Sequence, residues 1–308
     1  MAGLKELRTR LLSVKSTKQI TSAMKMVSAA KLRKSQIYLN QSREYVEKLD
    51  EILRAVIEKN LDNNIVKNNI FFERSVNNNK NNDKIEQFKY LFVLITSNKG
   101  LCGSFNVNTN KKFLEIINEN YIDLWKNKRL SIICIGKKGE EYLKLKNFAP
   151  LKSYHELIEK PDKKNIFNVW DELVDSYVKR EYNKIYVFYN YYKNPVVHDL
   201  IMDQFLPLKI KNSKSTNSYY DYILEPSADE ILKELIPLYL KSKFYNILLE
   251  SITSEHGSRM TAMYQATENA ESLIRELQIM YNKARQNSIT TEILEIISGA
   301  EALRKSGK

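Results

Sequence analysis

The feature that most constrains this chain is a heptad pattern near its C-terminal end. Apolar residues recur there in alternating steps of three and four, at Met263, Ala266, Ala270, Leu273, Leu277, Met280 and Ala284. This repeat predicts a helix that packs against a second helix along a narrow seam. We expect the helix to run from Ser227 to Leu303, a length on the order of 100 Å. Such a helix needs a partner of similar reach.

The N-terminal part of the chain supplies that partner. Residues 2–58 predict one helix, because no glycine or proline occurs between Leu4 and Ile57. An apolar seam opens at Leu4, Leu7, Leu11 and Val14 and later drifts around the helix. Because the C-terminal helix is longer, we expect its tip to project beyond this partner as a single helix.

Two positions in the C-terminal helix are expected to be weak. Pro237 lies near its start, and a proline inside a helix costs about 3 kcal/mol, so we expect a kink or a short break there. Gly257 is the second weak position. Ser227 and Glu230 have the spacing of a capping box, which predicts the helix start.

The middle of the chain has the pattern of an α/β domain. The apolar run 89–96 predicts a strand buried on both faces, and it ends in a loop, Ser97-Asn-Lys-Gly-Leu-Cys-Gly103. Further strands are predicted at 130–135 and 184–189, with a proline-containing edge strand at 204–210. Helices are predicted at 106–121, 138–145 and 166–179. Alternating strands and helices indicate a mainly parallel sheet.

The predicted fold is therefore α/β: a long antiparallel coiled coil of N- and C-terminal helices with an inserted, mainly parallel, Rossmann-like α/β domain. We divide the chain into an N-terminal coiled-coil helix (1–59), a linker (60–88), the α/β domain (89–211), and a connection with the C-terminal helix (212–308). Ten of the 23 residues in 60–82 are asparagine, which favours a mobile loop.

The positive charge is concentrated at the N-terminal end. The net charge of the chain is +12, and residues 1–43 contain ten Lys or Arg with one acidic residue, Glu6, a local balance of +9. Such an arm suits an anionic partner, whether nucleic acid, a phospholipid surface or acidic protein loops, although a solvated helix face has the same pattern. No aromatic residue occurs from Met1 to Ile37, which argues against stacking on single-stranded nucleic acid but leaves phosphate contacts open.

The sequence offers little catalytic chemistry. His155, His198 and His256 are far apart, and none has the spacing of a metal ligand. The segment 97–104 lacks the spacing of a nucleotide-binding P-loop and favours a structural turn. Cys102 and Cys134 have no pairing or metal spacing, which fits a reducing compartment, and Cys102 is expected to be a small packed hydrophobe. We expect no catalytic residues, no cofactor and no metal. Two hypotheses remain from the residues: a coiled-coil subunit of a larger assembly, and a basic coiled-coil nucleic-acid-binding protein.

Both ends of the chain resemble one family. The run Leu4 to Gln36, with Thr17-Lys-Gln-Ile-Thr-Ser-Ala-Met-Lys-Met-Val, resembles the γ subunits of F-type ATP synthases. The run Tyr281 to Ala302 does so too, and its portion from Ile289 looks like the family signature: Ile-Thr-x-Glu, a second acid at Glu295, then Gly299-Ala300. The loop 97–103 matches the family as well, and Tyr222 to Pro226 matches more loosely.

The resemblance implies a central rotary shaft without a catalytic site of its own. Such a shaft turns inside a ring of three α and three β subunits and couples ion flow through a membrane c ring to ATP synthesis or hydrolysis. The implied partners are those subunits, the ε subunit and the c ring, with no nucleic acid and with membrane contact only through the c ring. The implied location is the cytoplasmic face of a bacterial inner membrane, and the lack of a presequence favours a bacterial protein over a mitochondrial precursor.

The resemblance also assigns residues. Arg285 and Gln286, expected to face outward beside Ala284, match family positions that contact acidic loops of the β subunits, and Met24 matches the facing position on the N-terminal helix. The foot that meets the c ring and the ε subunit matches Tyr220, Tyr222 and Glu225. The tip would turn as a bearing in an apolar sleeve, using Ile293, Leu294, Ile296, Ile297 and Leu303. Asn98 departs from the family, which usually has an aspartate there.

Overall fold

Two long helices account for most of the fold outside the sheet. A computed structural model describes residues 3–59, 69–72, 88–159, 161–208 and 222–306. Helix α1 is Leu4–Lys59 and the last helix, α7, is Ala228–Ser306. Both agree with the predicted helices to within a few residues. The α7 start is capped as predicted, because the Ser227 hydroxyl accepts a hydrogen bond from the Glu230 backbone N–H at 3.3 Å.

A short break at Pro237 is the wrong prediction, whereas a kink there stays a prediction. Helix α7 runs continuously through this proline. Leu232, Ile236, Leu240 and Phe244, on both sides of it, are at most 1% exposed. Burying apolar side chains of this size stabilises the helix by about 1.5–3 kcal/mol each, which offsets the cost of one proline.

Gly257 does not interrupt α7 either. A Cβ atom at this position would lie 3.0 Å from the Cα of Pro195 and 3.1 Å from its carbonyl oxygen. The glycine therefore permits a close approach between α7 and the backbone at Pro195.

The described residues contain a five-stranded sheet. Its strands are β1 (Tyr90–Ile95), β2 (Leu130–Ile135), β3 (Lys152–Tyr154), β4 (Lys184–Tyr192) and β5 (His198–Leu206), in the order β3-β2-β1-β4-β5. All neighbouring pairs are parallel except β4 and β5. The predicted, mainly parallel sheet is confirmed. The edge strand starts earlier than expected, at His198, and ends before Pro207.

Five helices accompany these strands. They are α2 (Phe105–Asn120), α3 (Ile122–Lys126), α4 (Lys137–Leu145), α5 (Glu156–Glu159) and α6 (Lys163–Val178). The sequence patterns did not predict β3 or the short helices α3 and α5. All three are at most five residues long, too short for a clear periodic pattern.

The sheet has an apolar layer on each face. One cluster joins alternate β1 residues such as Leu91 and Val93 to residues of α1, α6 and α7. The other joins Phe92 and Leu94 to α2, α4 and their neighbours. This alternation explains why β1 is apolar throughout: both of its faces are buried.

Part of the asparagine-rich segment is packed. Phe72 is 5% exposed and pairs with Leu208 in an isolated bridge, and the Tyr177 hydroxyl donates to the Ile70 carbonyl at 3.1 Å. A mobile loop is therefore the wrong prediction for Ile70–Phe72, because their apolar side chains reach the domain core. The rest of 60–82, and the connection up to residue 221, lie outside the described residues.

Backbone contacts divide the chain into two compact units. The first is residues 1–28 with 260–308, and the second is Ala29–Arg259. Each unit includes part of α1 and part of α7. The four-segment division at 59, 88 and 211 stays a prediction, since these boundaries fall at or inside stretches that the structure does not describe.

Candidate partner-contact sites and joints

Within the first unit, α1 and α7 are antiparallel. Lys18 forms an ion pair with Glu271 at 2.6 Å, the Thr21 and Thr267 hydroxyl oxygens lie 3.0 Å apart, and Lys25 lies over the Tyr264 ring. Moving seven residues forward along α1, from 18 to 25, moves seven backward along α7, from 271 to 264. The predicted antiparallel pairing is confirmed for this unit.

The heptad seam is as predicted except at Met280, since Leu273 and Ala284 pack against a small apolar cluster and Ala266 is half-buried. Met263, Ala270 and Leu277 are buried as predicted, but Met280 is 53% exposed. Thr267, Ile274 and Tyr281 take positions on the packed side. The hydrophobic pattern could not predict that Thr267 is buried in the seam, because threonine is a polar residue. Its hydroxyl donates to the Met263 carbonyl at 2.7 Å and is thereby satisfied inside the helix.

Arg285 and Gln286 face outward, as predicted. Ala284 packs against the small apolar cluster around Leu7, Leu11 and Leu277, and the two residues after it are exposed. Within the described part of the chain, neither side chain makes a hydrogen bond or an ion pair. Both are therefore available to a partner.

The segment after Gln286 exposes apolar side chains along its length. Every residue from Asn287 to Ala302 is exposed. Four of the predicted bearing residues are at least half exposed: Ile293, Leu294, Ile296 and Ile297. The side chain of Leu303 lies outside the described residues. Large apolar side chains that the described part of the chain leaves exposed on a helix indicate a surface covered by another protein.

Met24 is not brought next to Arg285. The antiparallel register places Met24, which is half-buried, opposite the α7 residues near Tyr264. Arg285 is 21 residues beyond Tyr264 on α7, which is about 30 Å along the helix. Met24 and the Arg285–Gln286 pair are thus two separate sites.

The foot residues are only partly described. Tyr222 is 36% exposed, Ile223 is 88% exposed and Glu225 is exposed. Leu224 packs against the larger apolar cluster. Tyr220 lies outside the described residues.

The 97–103 loop is a structural turn held by helix α7. The Arg259 guanidinium donates to the carbonyls of Lys99 and Gly100 at 3.0 and 3.3 Å, and the Ser258 hydroxyl donates to the Cys102 carbonyl at 2.7 Å. A phosphate cradle requires converging N–H groups, whereas this loop presents carbonyl oxygens to α7. Burial raises the pKa of the Cys102 thiol, which agrees with a packed hydrophobe.

Asn98 uses both ends of its amide. Its Nδ2 donates to the His155 carbonyl at 2.7 Å, and its Oδ1 accepts from the Lys137 backbone N–H at 3.0 Å. An ionised aspartate could accept the second bond but could not donate the first. The role of this position here is that of a neutral bridge between two turns.

The sequence reading missed a buried ionic joint in the second unit. The Glu250 side chain is 2% exposed and accepts from the Arg43 guanidinium at 2.6 and 2.7 Å, one bond to each carboxylate oxygen. The Tyr192 backbone N–H also donates to Glu250, at 2.9 Å, and Arg43 donates to the Tyr192 carbonyl at 2.7 Å. We call Arg43, Tyr192 and Glu250 the Glu250 joint. It bonds α1, α7 and β4 to one another.

Two titratable groups lie between one and two turns further along α7, the buried Glu255 and the half-buried His256. Burial raises the pKa of the Glu255 carboxyl, while the neighbouring Arg259 charge lowers it. Burial also lowers the pKa of the His256 imidazole to about 4, with further lowering by Arg259 and Lys31. His256 is therefore neutral at pH 7.

Two kinds of feature are absent from the described residues, a membrane-spanning helix and a metal-binding cluster. No helix there is long and apolar enough to span a bilayer. No group of three or more His, Cys, Asp or Glu there has a geometry that could hold a metal ion.

Comparison with known proteins places the chain in a family. The family model for ATP synthase matches residues 3–303. The chain is 41% identical to the ATP synthase gamma chain of Cytophaga hutchinsonii, over 98% of this chain and 99% of that one. It is 43% identical to that of Flavobacterium johnsoniae, again over 98% and 99%. The chain belongs to the ATP synthase gamma chain family.

Solved structures share the gamma chain fold. A chain in the mitochondrial ATP synthase of Euglena gracilis, solved as an OSCP/F1/c-ring assembly, aligns with a TM-score of 0.67 at 19% identity, over 99% of this chain and 96% of that one. A chain in the central stalk and c ring of the Tetrahymena thermophila enzyme aligns with a TM-score of 0.54 at 22% identity, over 80% and 99%.

Membership of the gamma chain family settles the choice between the two hypotheses. The chain is a subunit of an ATP synthase and has the role of its central rotary shaft. The nucleic-acid-binding alternative has no support among these relatives.

Proposed function

We propose that this shaft turns inside a ring of three α and three β subunits and stands on a membrane c ring together with an ε subunit. The observation that carries the proposal is the α7 segment from Arg285 to Ala302, which is exposed throughout and carries large apolar side chains. A helix with this surface needs a protein housing. A ring of larger subunits around the helix would supply one.

The contacts to the catalytic β subunits are assigned to Arg285, Gln286 and Met24. Acidic loops would meet the positive guanidinium of Arg285, and the Gln286 amide would add hydrogen bonds. The exposure of Arg285 and Gln286, and their lack of side-chain hydrogen bonds and ion pairs among the described residues, support the assignment of these two. Met24 would form a second contact, about 30 Å along the helical pair.

The tip acts as a bearing. Ile293, Leu294, Ile296 and Ile297 would turn against an apolar sleeve, and Leu303 would extend that surface. Apolar contacts suit this task because they are not directional, so the surface can slide without breaking particular bonds.

The foot meets the c ring and the ε subunit. Tyr220, Tyr222 and Glu225 are assigned to this contact. The exposure of Tyr222 and Glu225, with the 88% exposed Ile223 between them, supports the assignment.

The shaft couples two processes without performing chemistry. Its surface differs from side to side, whereas a ring of three αβ pairs is nearly three-fold symmetric. Each β subunit therefore meets a different face of the shaft, and rotation changes which conformation each catalytic site prefers. This is coupling by differential contact energy between states. We infer no catalytic residue, cofactor or metal in this chain.

The assembly is placed on the cytoplasmic face of a bacterial inner membrane. The chain would touch the membrane only through the c ring. The bacterial origin of the relatives named above and their similarity along almost the whole chain support this placement.

A pull-down tests the proposal. A tagged form of this chain is recovered from native membranes at moderate salt, and the eluate is assayed for ATP hydrolysis, subunit ratio and nucleic acid by absorbance. The proposal expects an ATP-hydrolysing complex with two larger subunits in threefold excess over this chain. Recovery with nucleic acid that salt releases, and without ATPase activity, would contradict it.

A further inference from the structure

Helix α7 carries a polar face where it packs on the sheet, inside the second unit. The residues of this face recur at helical spacing, and each contacts a different part of the α/β domain. Lys243 pairs with Asp203 at 2.7 Å, and Ser254 donates to the Asn190 carbonyl at 3.2 Å. Glu250 lies between them, and Ser258 and Arg259 reach the 97–103 loop beyond.

The buried carboxylate at Glu250 is a costly choice for stability. An apolar side chain of similar volume in a well-packed site is often as stabilising as a buried ion pair, or more so. Leu248 and Leu249, beside Glu250, are 0% and 2% exposed, so α7 also packs apolar side chains tightly at this level. The ion pair therefore needs an explanation other than stability.

Directional bonds provide that explanation. Apolar packing resists separation but permits sliding, whereas hydrogen bonds hold only over a narrow range of distance and angle. The Glu250 joint closes a triangle, since α1 bonds α7, α7 bonds β4, and α1 bonds β4. The hydrogen bond from Arg43 to Glu250 also raises the pKa of the guanidinium, so the charge stays fixed. A closed triangle of charged bonds fixes the register of three elements.

A single point of attachment would leave the sheet free to pivot. Ser254 and Ser258 attach α7 to the sheet and to the 97–103 loop one and two turns beyond Glu250. Attachment at several points along one helix face resists twisting about that helix.

We infer that this polar face is the joint through which torque passes between the α/β domain and the helical pair, and that Glu250 is the positioning residue that sets its torsional stiffness. The inference rests on the proposed shaft function. It adds a second mechanical part: the tip is built of apolar residues that can slide, and the joint is built of polar residues that cannot.

The test measures stiffness in the assembled enzyme. A probe is attached through a Glu119→Cys substitution on the exposed side of α2, where labelling is selective because Cys102 and Cys134 are buried. The angular variance of the probe is recorded in the pauses between ATP-driven steps. We expect Glu250→Gln to raise this variance about twofold, because the amide cannot pair with both guanidinium nitrogens and leaves a donor facing Arg43.

A matched control separates the joint from a general loss of charge. Glu51 forms an exposed ion pair with Lys48 within α1, so Glu51→Gln removes one carboxylate without touching the sheet. Its variance should equal that of the parent. Ser254→Ala and Arg43→Lys each remove only part of the polar contacts of this face and should raise the variance by smaller amounts. If Glu250→Gln yields no complex, these two variants decide the question.

Unchanged variance in the variants of the joint that assemble would overturn the inference. That outcome leaves the proposed function intact as long as the parent probe rotates on ATP. A parent probe that stays still while ATP is hydrolysed would overturn the proposed function itself.

Discussion

The two compact units use the same pair of helices in opposite ways. In the second unit, α1 and α7 pack on a sheet, and most of their apolar side chains on that side are almost fully buried. In the first unit the helical pair buries a narrow apolar seam, which includes Leu7, Leu11, Met263 and Leu277. In the second unit the helices are thus stabilised by packing within the chain. In the first unit they leave apolar surface that a partner could cover.

The polar contacts differ in the same direction. Glu250 of the second unit is 2% exposed and bonded to two other elements, whereas Glu271 of the first unit is 44% exposed and, among the described residues, forms an ion pair with Lys18. Buried ion pairs are costly to break, and exposed ones contribute little. The comparison indicates that the second unit is rigid and that the polar contacts of the first unit contribute little to its stability.

Removing one partner of the Glu250 joint should have the largest effect. Glu250→Ala leaves the Arg43 charge and the Tyr192 N–H without their partner, so we expect a loss of about 3–5 kcal/mol in the free energy of unfolding. Denaturant titration of the purified chain measures this. Glu271→Ala is the matched change in the first unit, and its curve should overlay that of the parent. Equal losses in the two variants would break the comparison.

Replacing a buried leucine by alanine should lower the free energy of unfolding more in the second unit than in the first. Leu248 is 0% exposed in the large core, so Leu248→Ala should cost about 4 kcal/mol. Leu277 is 3% exposed in a small cluster that can collapse around the gap, so Leu277→Ala should cost about 2 kcal/mol. The two variants are compared by the same titration. A larger loss for Leu277→Ala would reverse the assignment of stability to the two units.

Acid should weaken the second unit through His256. The pKa of this imidazole in the folded chain is about 4, below its unfolded value, so the folded state binds fewer protons. Stability is therefore fully present above pH 6.5 and falls as the pH drops from about 6.5 to 4, by about 1.4 kcal/mol per unit. Thermal unfolding across this range measures the slope. His256→Gln should flatten it, and a variant slope equal to that of the parent would contradict the assignment.

The exposed pair on α7 should matter to the assembly and not to the fold. Arg285→Ala combined with Gln286→Ala removes exposed side chains that make no hydrogen bond or ion pair among the described residues, so the free energy of unfolding should be unchanged. We expect weaker assembly, or less ion pumping for each ATP hydrolysed, since one charged and one polar contact are lost. Assembly yield and the ratio of pumping to hydrolysis are measured in membrane vesicles. An enzyme with parental values would overturn the contact assignment.

Local patterns predicted most of the fold. The apolar run of β1 and the absence of glycine and proline in α1 placed these elements correctly, because each pattern extends over many residues. The wrong prediction at Pro237 had another cause. The helix stays continuous at the proline because its side chains pack against core residues from distant parts of the chain. The helix propensity of a single residue contains no information about those distant contacts.

The candidate sites divide in the same manner. Arg285 and Gln286 could be placed outward from the heptad pattern and given a role from the family motif. The Glu250 joint could not be found, because Arg43 and Glu250 are 207 positions apart and each is an ordinary charged residue in its own helix. The partner-contact roles stay predictions, those of Met24, Arg285, Gln286, Tyr220, Tyr222 and Glu225, and so does the bearing role of Ile293, Leu294, Ile296, Ile297 and Leu303.

Hydrogen exchange of the chain, free and in the assembled enzyme, tests the account most directly. In the free chain we expect fast exchange across 287–302 and slow exchange in β1 and β4, because the first segment is exposed and the strands are buried. Assembly should slow exchange across 287–302 and leave the strands unchanged. If exchange across 287–302 is equally fast in the assembled enzyme, the tip is not enclosed, and the account of a shaft inside a housing is contradicted.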